Sequence, residues 1–137
     1  MEIFSLRGRT AWITGGSYGI GFAIACGLAE AGARIVFNDI NQDIVDKGLA
    51  AYQEKGVSAR GYVCDVTDEP SVQALVKQIG QDVGPVDILV NSAGAARRVP
   101  PDELTPGAWH DAMQAKYFTY IHMLDPVVKR MGARGTG

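Results

Sequence analysis

The chain has 137 residues, of which 47% are hydrophobic and 20% are charged, and its formal net charge is −2. That length suits one compact domain, the hydrophobic fraction excludes a disordered tail, and the near-neutral charge gives no electrostatic signal for nucleic acid or an anionic membrane. Glycine is in excess, with 17 of 137 residues against an average of about 7%, and proline, with 6 residues, is not raised with it. This composition favours a backbone that must approach a neighbour or a ligand closely.

Short β-branched segments alternate with amphipathic stretches along the chain. Strands are predicted at residues 11–14, 34–38, 59–64 and 86–91, the last one apolar throughout and expected to be buried on both faces. The first two helices are predicted over GIGFAIACGLAEAG and over 41–55, the second ending before Gly56. A third is predicted over 70–83, with Thr67 or Asp68 as its cap. The last is predicted to start after Thr105-Pro106 and to run to about Met131, and Pro126 should kink it or mark its final turns.

Strands separated by helices of this length predict right-handed crossovers and a parallel sheet. The fold class is therefore α/β, a doubly wound, Rossmann-like sheet with about four strands in the order 3-2-1-4. We expect residues 1–137 to form one dinucleotide-binding domain that is incomplete, because a whole sheet of this kind has six strands. In that order the fourth strand would be left as an apolar edge.

The glycine-rich loop TGGSYGIG joins the first predicted strand to the first helix. A Walker loop is excluded because Phe22 follows Gly21, and GxGxxG fails because Ile24 stands at its last position. What remains is GxxxGxG. We expect Gly15 to turn the chain off the strand, Gly19 to let backbone N–H groups meet a pyrophosphate, and Gly21 to let the helix pack closely on the sheet. The alternative is a plain glycine-rich turn.

Asp39 ends the second predicted strand, close to the separation of about 20 residues from the first glycine at which a ribose-binding acid is expected. A carboxylate there accepts hydrogen bonds from the 2′- and 3′-hydroxyls and repels a 2′-phosphate. Position 18 carries Tyr18 and no cation that would face such a phosphate. Both features favour NAD, with NADP possible. The alternative is that Asp39 only caps the next helix, a role that Asn41 could take.

Four segments in register resemble the short-chain dehydrogenase/reductase family. The loop is similar to the family's TGxxxGIG, and Asp65-Val66-Thr67 resembles its adenine-contacting segment. Asn91-Ser92-Ala93-Gly94 resembles NNAG, with Ser92 in place of the second Asn, and Asp87 matches the acid before that strand.

The resemblance implies a nicotinamide cofactor, a hydride transfer with a small-molecule alcohol or ketone, and a homodimer or homotetramer. It assigns the pyrophosphate to the loop, the adenosine ribose to one acid, the adenine to the segment after the third strand and the nicotinamide ribose to the segment after the fourth. The pyrophosphate residues are Gly15, Ser17, Gly19 and Ile20, with Tyr18 and Gly21 in the same cofactor-binding loop. Asp39 follows for the adenosine ribose, Asp65 and Val66 for the adenine, and Asn91, Ala93 and Gly94 for the nicotinamide ribose.

Within the family, the segments FSLRGR, IVFNDINQ, GYVCDVTDEP and AGAARRVP resemble gluconate 5-dehydrogenases over roughly the first 100 residues. This implies a sugar acid or a similar alcohol or ketone as substrate. Arg97 and Arg98 follow the fourth strand at the edge where such sheets bind ligands, and a guanidinium there could clamp a carboxylate. Solvated loop charges are the alternative. From about Thr105 onward the sequence is more similar to other branches of the family.

The family's Ser, Tyr and Lys, with Lys four residues after Tyr, have no match in the chain. Tyr52, Tyr117 and Tyr120 are not followed by Lys at that spacing, and together with Phe118 they predict a helix packing face. Lys116 stands where the family's supporting Asn is expected. We therefore expect no catalytic residue here. The chain is then either the cofactor-binding part of a longer enzyme, inactive alone, or a truncated dinucleotide-binding module without turnover.

The sequence predicts a cytoplasmic protein that holds no metal ion. The start MEIFSLRGR lacks a signal-peptide pattern, and no stretch reaches the roughly 18 apolar residues that a membrane span needs. Cys26 and Cys64 lie in apolar segments without CxxC spacing, which favours reduced, buried thiols over a disulfide. His110 and His122 have no third ligand at metal spacing and are predicted to be ordinary helix residues.

Overall fold

The computed structural model describes residues 2–94 and 98–137 and contains a parallel sheet in the order β3-β2-β1-β4. Its strands are β1 (Thr10–Thr14), β2 (Arg34–Asp39), β3 (Ala59–Val63) and β4 (Ile88–Val90). β2 pairs with β1 from Thr10↔Arg34 onward, and β4 pairs with β1 from Ala11↔Ile88 onward. The predicted α/β fold, with its doubly wound parallel sheet and its strand order, is confirmed.

Helices connect the strands and cover both faces of the sheet. Their bounds in the described part of the chain are α1 (Gly19–Glu30), α2 (Gln42–Glu54), α3 (Glu69–Asp82), α4 (Pro106–Ala112) and α5 (Thr119–Arg134). Asp68 caps α3 by accepting a hydrogen bond from the Ser71 amide at 3.1 Å. Of the two predicted caps, the structure therefore selects Asp68.

The last predicted helix is corrected in two ways. A π-helical segment, Met113–Phe118, lies between α4 and α5, and α5 continues to Arg134, a little beyond the predicted end near Met131, with Pro126 inside the helix. The predicted packing face is also wrong for Tyr117 and Phe118. Their side chains are exposed and pack edge-on against each other, because no described element covers that side of the helix.

β4 is shorter and less buried than predicted, with three half-buried residues in place of a strand over 86–91. Side chains add hydrogen bonds at both of its ends, beside the main-chain bond from the Asp87 amide to the Thr10 carbonyl at 2.9 Å. The Asp87 carboxylate accepts from the Thr10 amide at 2.8 Å, and the Thr14 hydroxyl accepts from two amides beyond the strand. Among the described residues β4 pairs only with β1, so its outer edge stays open.

The core has two halves, one on each face of the sheet. One half joins Trp12 and Val36 to α3 and α5 through side chains such as Ile79. The other joins Ile13 and Phe37 to α1 and α2. All of β1 is buried, because helices pack on both of its faces and a strand pairs with each of its edges. This central strand fixes the position of the loop that follows it.

Within the described ranges, none of the helices combines the length and the apolar character that crossing a bilayer requires. The same residues contain no group of three or more His, Cys, Asp or Glu side chains that could hold a metal ion.

Candidate functional site

The glycine loop begins with a sharp turn that is anchored to the neighbouring strand. Gly15 has φ +62°, a left-handed conformation that glycine adopts without strain. Its amide donates to the Asn38 carbonyl at 2.9 Å, and the Asn38 side-chain oxygen accepts from Trp12 Nε1 at 2.9 Å. The predicted turn at Gly15 is therefore present, and a buried Trp–Asn pair holds β1 and β2 together directly beneath it.

The amino terminus of α1 opens into a cleft at the carboxyl edge of the sheet. Gly19 begins the helix with φ +65°, and Tyr18, the residue before it, makes no side-chain capping bond within the described part of the chain. Helix N-terminal amides without a cap are suited to an anion. A Cβ at Gly21 would lie 2.5 Å from the Gly15 carbonyl oxygen and 3.0 Å from Ser92 Oγ. Gly21 therefore lets α1 pack on the loop, where packing on the sheet was expected.

Asp39 lies at the end of β2 and faces the same loop. Its Oδ2 accepts from the Ser17 amide at 3.3 Å, and its Oδ1 accepts from the Ile40 amide at 3.0 Å. The cap of α2 is Asn41, whose side chain accepts from the Ile44 amide at 2.9 Å. Since Asn41 serves as the cap, Asp39 is left as a half-buried carboxylate at the cleft.

The segment after β3 forms a tight polar turn. Asp65 Oδ1 accepts from the Thr67 amide at 2.9 Å and from the Thr67 hydroxyl at 2.6 Å, which orients the exposed Asp65 side chain. The Val66 carbonyl lies 3.1 Å from His122 Nδ1. His122, predicted to be an ordinary helix residue, thus connects α5 to this turn.

The segment after β4 is held by a buried hydroxyl. Thr14 Oγ1 accepts from the Ser92 and Ala93 amides at 3.0 Å each, and Thr14 is 1% exposed. Gly94 follows, and the side chain of Lys116 lies against it: a Cβ at Gly94 would lie 2.7 Å from Lys116 Cδ. The structure therefore brings Lys116 to the cleft from the π-helical segment.

These segments enclose a cleft of about 500 Å³. Ten of the predicted cofactor-binding residues line it, and so does Lys116. The ten are Gly15, Tyr18, Gly19, Ile20, Gly21, Asp39, Asp65, Val66, Ala93 and Gly94. Ser17, Asn91 and the exposed Arg98 are not among its lining residues, and Arg97 lies outside the described residues. The assignment of these residues to parts of a cofactor stays a prediction.

Ser17 and Asn91 carry the two buried side-chain atoms that lack a hydrogen-bond partner within the described structure, Ser17 Oγ and Asn91 Oδ1. Buried polar atoms are nearly always paired. Both atoms lie on segments that border the cleft, but neither residue lines it, so these two atoms are not evidence for a ligand there.

The shape and charge of the cleft fit a dinucleotide. Its charged lining residues within the described ranges are Asp39, Asp65 and Lys116. The two carboxylates follow β2 and β3, whereas Lys116 lies beside the segment after β4. At about 4.8 Å per strand, β3 and β4 are about 14 Å apart, which allows the two halves of a dinucleotide to lie on either side of the glycine turn.

Several residues at the cleft were missed by the sequence reasoning. Asn38, Ile40, Cys64 and Thr119 line it, and Thr14 positions part of its wall. Burial raises the pKa of the Cys64 thiol to about 11, with Asp65 and Asp68 adding to the effect. The thiol is therefore neutral at pH 7. The sequence signal for Cys64 as a cleft residue was its position at the end of a predicted strand, directly before Asp65.

A second cavity, of about 540 Å³, opens near the amino ends of β2 and β3 and is lined by residues such as Arg34, Lys55 and Arg60. None of its described lining residues belongs to a loop that directly follows a strand. Ligands of open α/β sheets bind at the carboxyl ends of the strands, so the cleft beside the glycine turn is the better candidate.

Comparison with known proteins identifies the family. Residues 9–137 match the family model described as short chain dehydrogenase. The chain belongs to the short-chain dehydrogenase family. The resemblance noted in the glycine loop and in the segments after β3 and β4 is therefore confirmed.

Relatives within the short-chain dehydrogenase family include enzymes named for sugar acids. A gluconate 5-dehydrogenase from Gluconobacter oxydans (strain 621H) is 38% identical over 136 residues, which cover 99% of this chain and 53% of that protein. The crystal structure of 2-keto-3-deoxy-D-gluconate dehydrogenase from Streptococcus agalactiae is 48% identical with a TM-score of 0.87, covering 98% of this chain and 50% of that chain.

A third relative was solved with a cofactor. The crystal structure of a gluconate 5-dehydrogenase from Burkholderia cenocepacia J2315 in complex with NADP and tartrate is 40% identical, with a TM-score of 0.87, and covers 98% of this chain and 52% of that chain. The chain spans about half the length of the curated relatives it matches.

Proposed function

We propose that the chain is the cofactor-binding part of a nicotinamide-dependent oxidoreductase that acts on a sugar acid or a similar alcohol or ketone. The observation that carries the proposal is the cleft at the carboxyl edge of the sheet, where the glycine turn, Asp39 and the segment after β4 meet. The bound nicotinamide would supply hydride exchange with a substrate carbon. The sugar-acid assignment is supported by the relatives named for gluconate and 2-keto-3-deoxy-D-gluconate.

In this proposal the chain itself binds and orients the cofactor. The amides at the start of α1 hold the pyrophosphate, because the first residues of this helix line the cleft and Tyr18, at the N-cap position, makes no side-chain capping bond in the described structure. Asp39 accepts hydrogen bonds from the adenosine ribose, and the turn at Asp65 and Val66 borders the adenine. Ala93 and Gly94 flank the nicotinamide ribose.

We also propose a preference for NAD over NADP. Asp39 already accepts two backbone hydrogen bonds, and an ionised carboxylate can accept further ones from two ribose hydroxyls. A 2′-phosphate would bring like charges together at this point. Tyr18, an exposed residue of the glycine loop, provides no positive charge to compensate. The relative solved with NADP makes this preference a point to test directly.

Turnover by these 137 residues alone is not part of the proposal. No tyrosine of the printed sequence has a lysine four residues later, and the family resemblance assigns proton transfer to such a pair. The proposed alternative is a dinucleotide-binding module without turnover. A cytoplasmic location and a homodimer or homotetramer are part of the same proposal, the latter supported by exposed apolar side chains such as Trp109 and Val128.

The first prediction tests Asp39. Calorimetric titration of the purified chain with NAD⁺ and NADP⁺ should give tighter binding of NAD⁺. An Asp39→Asn variant should lose about tenfold or more in NAD⁺ affinity, since a hydrogen bond to a charged group contributes about 1.5–3 kcal/mol. It should also lose its discrimination against NADP⁺.

Asp43→Asn is the matched control, because it removes the same charge from an exposed residue that pairs with Lys47 outside the cleft. It should leave both affinities unchanged. An unaltered NAD⁺ preference in Asp39→Asn would remove Asp39 from its proposed role, and no binding of either dinucleotide by the parent chain would refute the proposed function.

A further inference from the structure

Lys116 occupies a defined place at one end of the cleft. It belongs to the π-helical segment Met113–Phe118, and its side chain runs over Gly94, where a Cβ would lie 2.7 Å from Lys116 Cδ and 3.0 Å from Nζ. Its ammonium group also lies 5.3 Å from the centre of the Tyr120 ring. The missing side chain at Gly94 therefore leaves the space through which Lys116 reaches the cleft.

The ammonium group of Lys116 forms no ion pair with the described acidic residues of the cleft. Among the described residues, no carboxylate lies within 4.0 Å of it, and it is the one cation that lines the cleft. Asp39 and Asp65 follow β2 and β3, about 10 Å and 14 Å from β4 at the usual strand spacing. The end of the cleft beside β4 therefore carries a positive charge that these two carboxylates do not neutralise.

We propose that Lys116 makes this site favour the reduced form of the nicotinamide cofactor. The inference rests on the proposed function, in which Ala93 and Gly94 flank the nicotinamide ribose. The two redox forms share the same phosphates, riboses and adenine, and they differ by one positive charge on the nicotinamide ring. An ammonium group near that ring repels the oxidised form and leaves the neutral, reduced ring unaffected. This repulsion raises the dissociation constant of NAD⁺ and leaves that of NADH unchanged, so it changes the ratio of the two constants.

That ratio separates the proposal from a general role of Lys116 in anion binding. A lysine that only attracts phosphates would strengthen both forms equally, because both carry the same pyrophosphate. A lysine that only supports the fold would weaken both forms when replaced. A change in the ratio requires a charge close to the nicotinamide ring, because the two forms differ in charge at that ring.

The experiment measures dissociation constants for NAD⁺ and NADH without substrate, by calorimetry and by the fluorescence of NADH. Lys116→Met keeps most of the aliphatic stem and removes the charge. It should lower the ratio of the NAD⁺ to the NADH dissociation constant by about fivefold, the effect of a unit charge several ångströms away in a partly solvated cleft. Lys116→Arg keeps the charge and should keep the parent ratio.

Lys77→Met is the matched control, because Lys77 is an exposed lysine of α3 outside the cleft. It should keep the parent ratio. If Lys116→Met binds both forms with the parent ratio, or if Lys77→Met lowers the ratio equally, the inference is refuted while the proposed function stands. If the parent chain binds neither form, the proposed function fails and this inference fails with it.

Discussion

Gly48 shows how a single residue outside the glycine loop controls the shape of that loop. It lies in α2, and a Cβ at this position would come within 2.8 Å of the Ser17 Cα and 2.9 Å of the Ser17 Cβ. Helix α2 therefore packs directly on the loop at the residue whose amide donates to Asp39. Since the contact involves the main chain of Ser17, a larger residue at position 48 cannot be accommodated by a side-chain rotation alone.

Replacing Gly48 should therefore affect both stability and binding. Gly48→Ala should lower the free energy of unfolding by about 1–3 kcal/mol, as overpacking in a closely packed region does, and it should weaken dinucleotide binding by moving Ser17. Gly27→Ala is the control, because Gly27 is also helical and an added Cβ there meets no atom of the described structure within 4 Å. Alanine should raise stability there by about 0.5–1 kcal/mol.

Urea unfolding of both variants measures these changes. The prediction depends on their opposite signs, so a Gly48→Ala protein as stable as Gly27→Ala would show that the loop yields to α2 without cost.

Thr14 connects two elements, because its hydroxyl joins the end of β1 to the segment after the short strand β4. Thr14→Val removes the acceptor for the Ser92 and Ala93 amides. The loss should be about 2–4 kcal/mol for two unsatisfied N–H groups. Thr14→Ser keeps the acceptor and loses one methyl group, at a cost of about 1 kcal/mol.

Amide hydrogen exchange provides a second measurement for Thr14. The Ser92 and Ala93 amides should exchange faster in Thr14→Val than in Thr14→Ser, relative to amides of β2. Equal exchange in the two variants would mean that Thr14 does not hold this segment.

The elements that could be predicted are those whose signals are local. The strand at Arg34–Asp39 follows from a β-branched segment, and the end of α2 follows from Gly56, which has φ +69°. The length of β4 could not be predicted from its apolar sequence, because the side-chain hydrogen bonds of Asp87 and Thr14 at its ends join residues far apart in the chain. The segment Met113–Phe118 has an ordinary helical composition, so nothing local distinguishes its π-helical geometry.

The same distinction applies to the candidate site. Gly15 and Asp39 were predicted because their spacing along the chain is part of the pattern. The contacts of Gly48 with Ser17 and of Lys116 with Gly94 join residues far apart in sequence. Only the packing of α2 on the loop, and of the π-helical segment beside β4, brings these pairs together.

At the scale of the whole molecule, each half of the core contains a weak acid that folding keeps neutral. Tyr52 lies in the half formed with α1 and α2, and its hydroxyl donates to the Gly16 carbonyl at 2.6 Å. Burial raises the pKa of Tyr52 above its usual value. Cys64 lies in the other half, where burial raises the pKa of its thiol from 9.0 to about 11. Both halves therefore lose stability in alkaline solution.

The sign for Cys64 follows from proton linkage. Between pH 9 and pH 11 the unfolded chain has released the thiol proton while the folded chain still binds it, so folding becomes less favourable as the pH rises. The contribution of Cys64 is fully present below pH 9 and is lost towards pH 11. At about 1.4 kcal/mol per pKa unit, the loss is on the order of 2 kcal/mol.

Urea unfolding at pH 8 and pH 11, in the presence of a phosphine reductant, tests this assignment. Cys64→Ala should be less stable than the parent at pH 8, because it leaves a small cavity, but it should lose about 2 kcal/mol less between the two pH values. Tyr52 lies in the other half of the core, so it contributes similarly in the parent and in Cys64→Ala. A Cys64→Ala protein that loses as much stability as the parent would show that the thiol at the cleft wall ionises freely in the folded state.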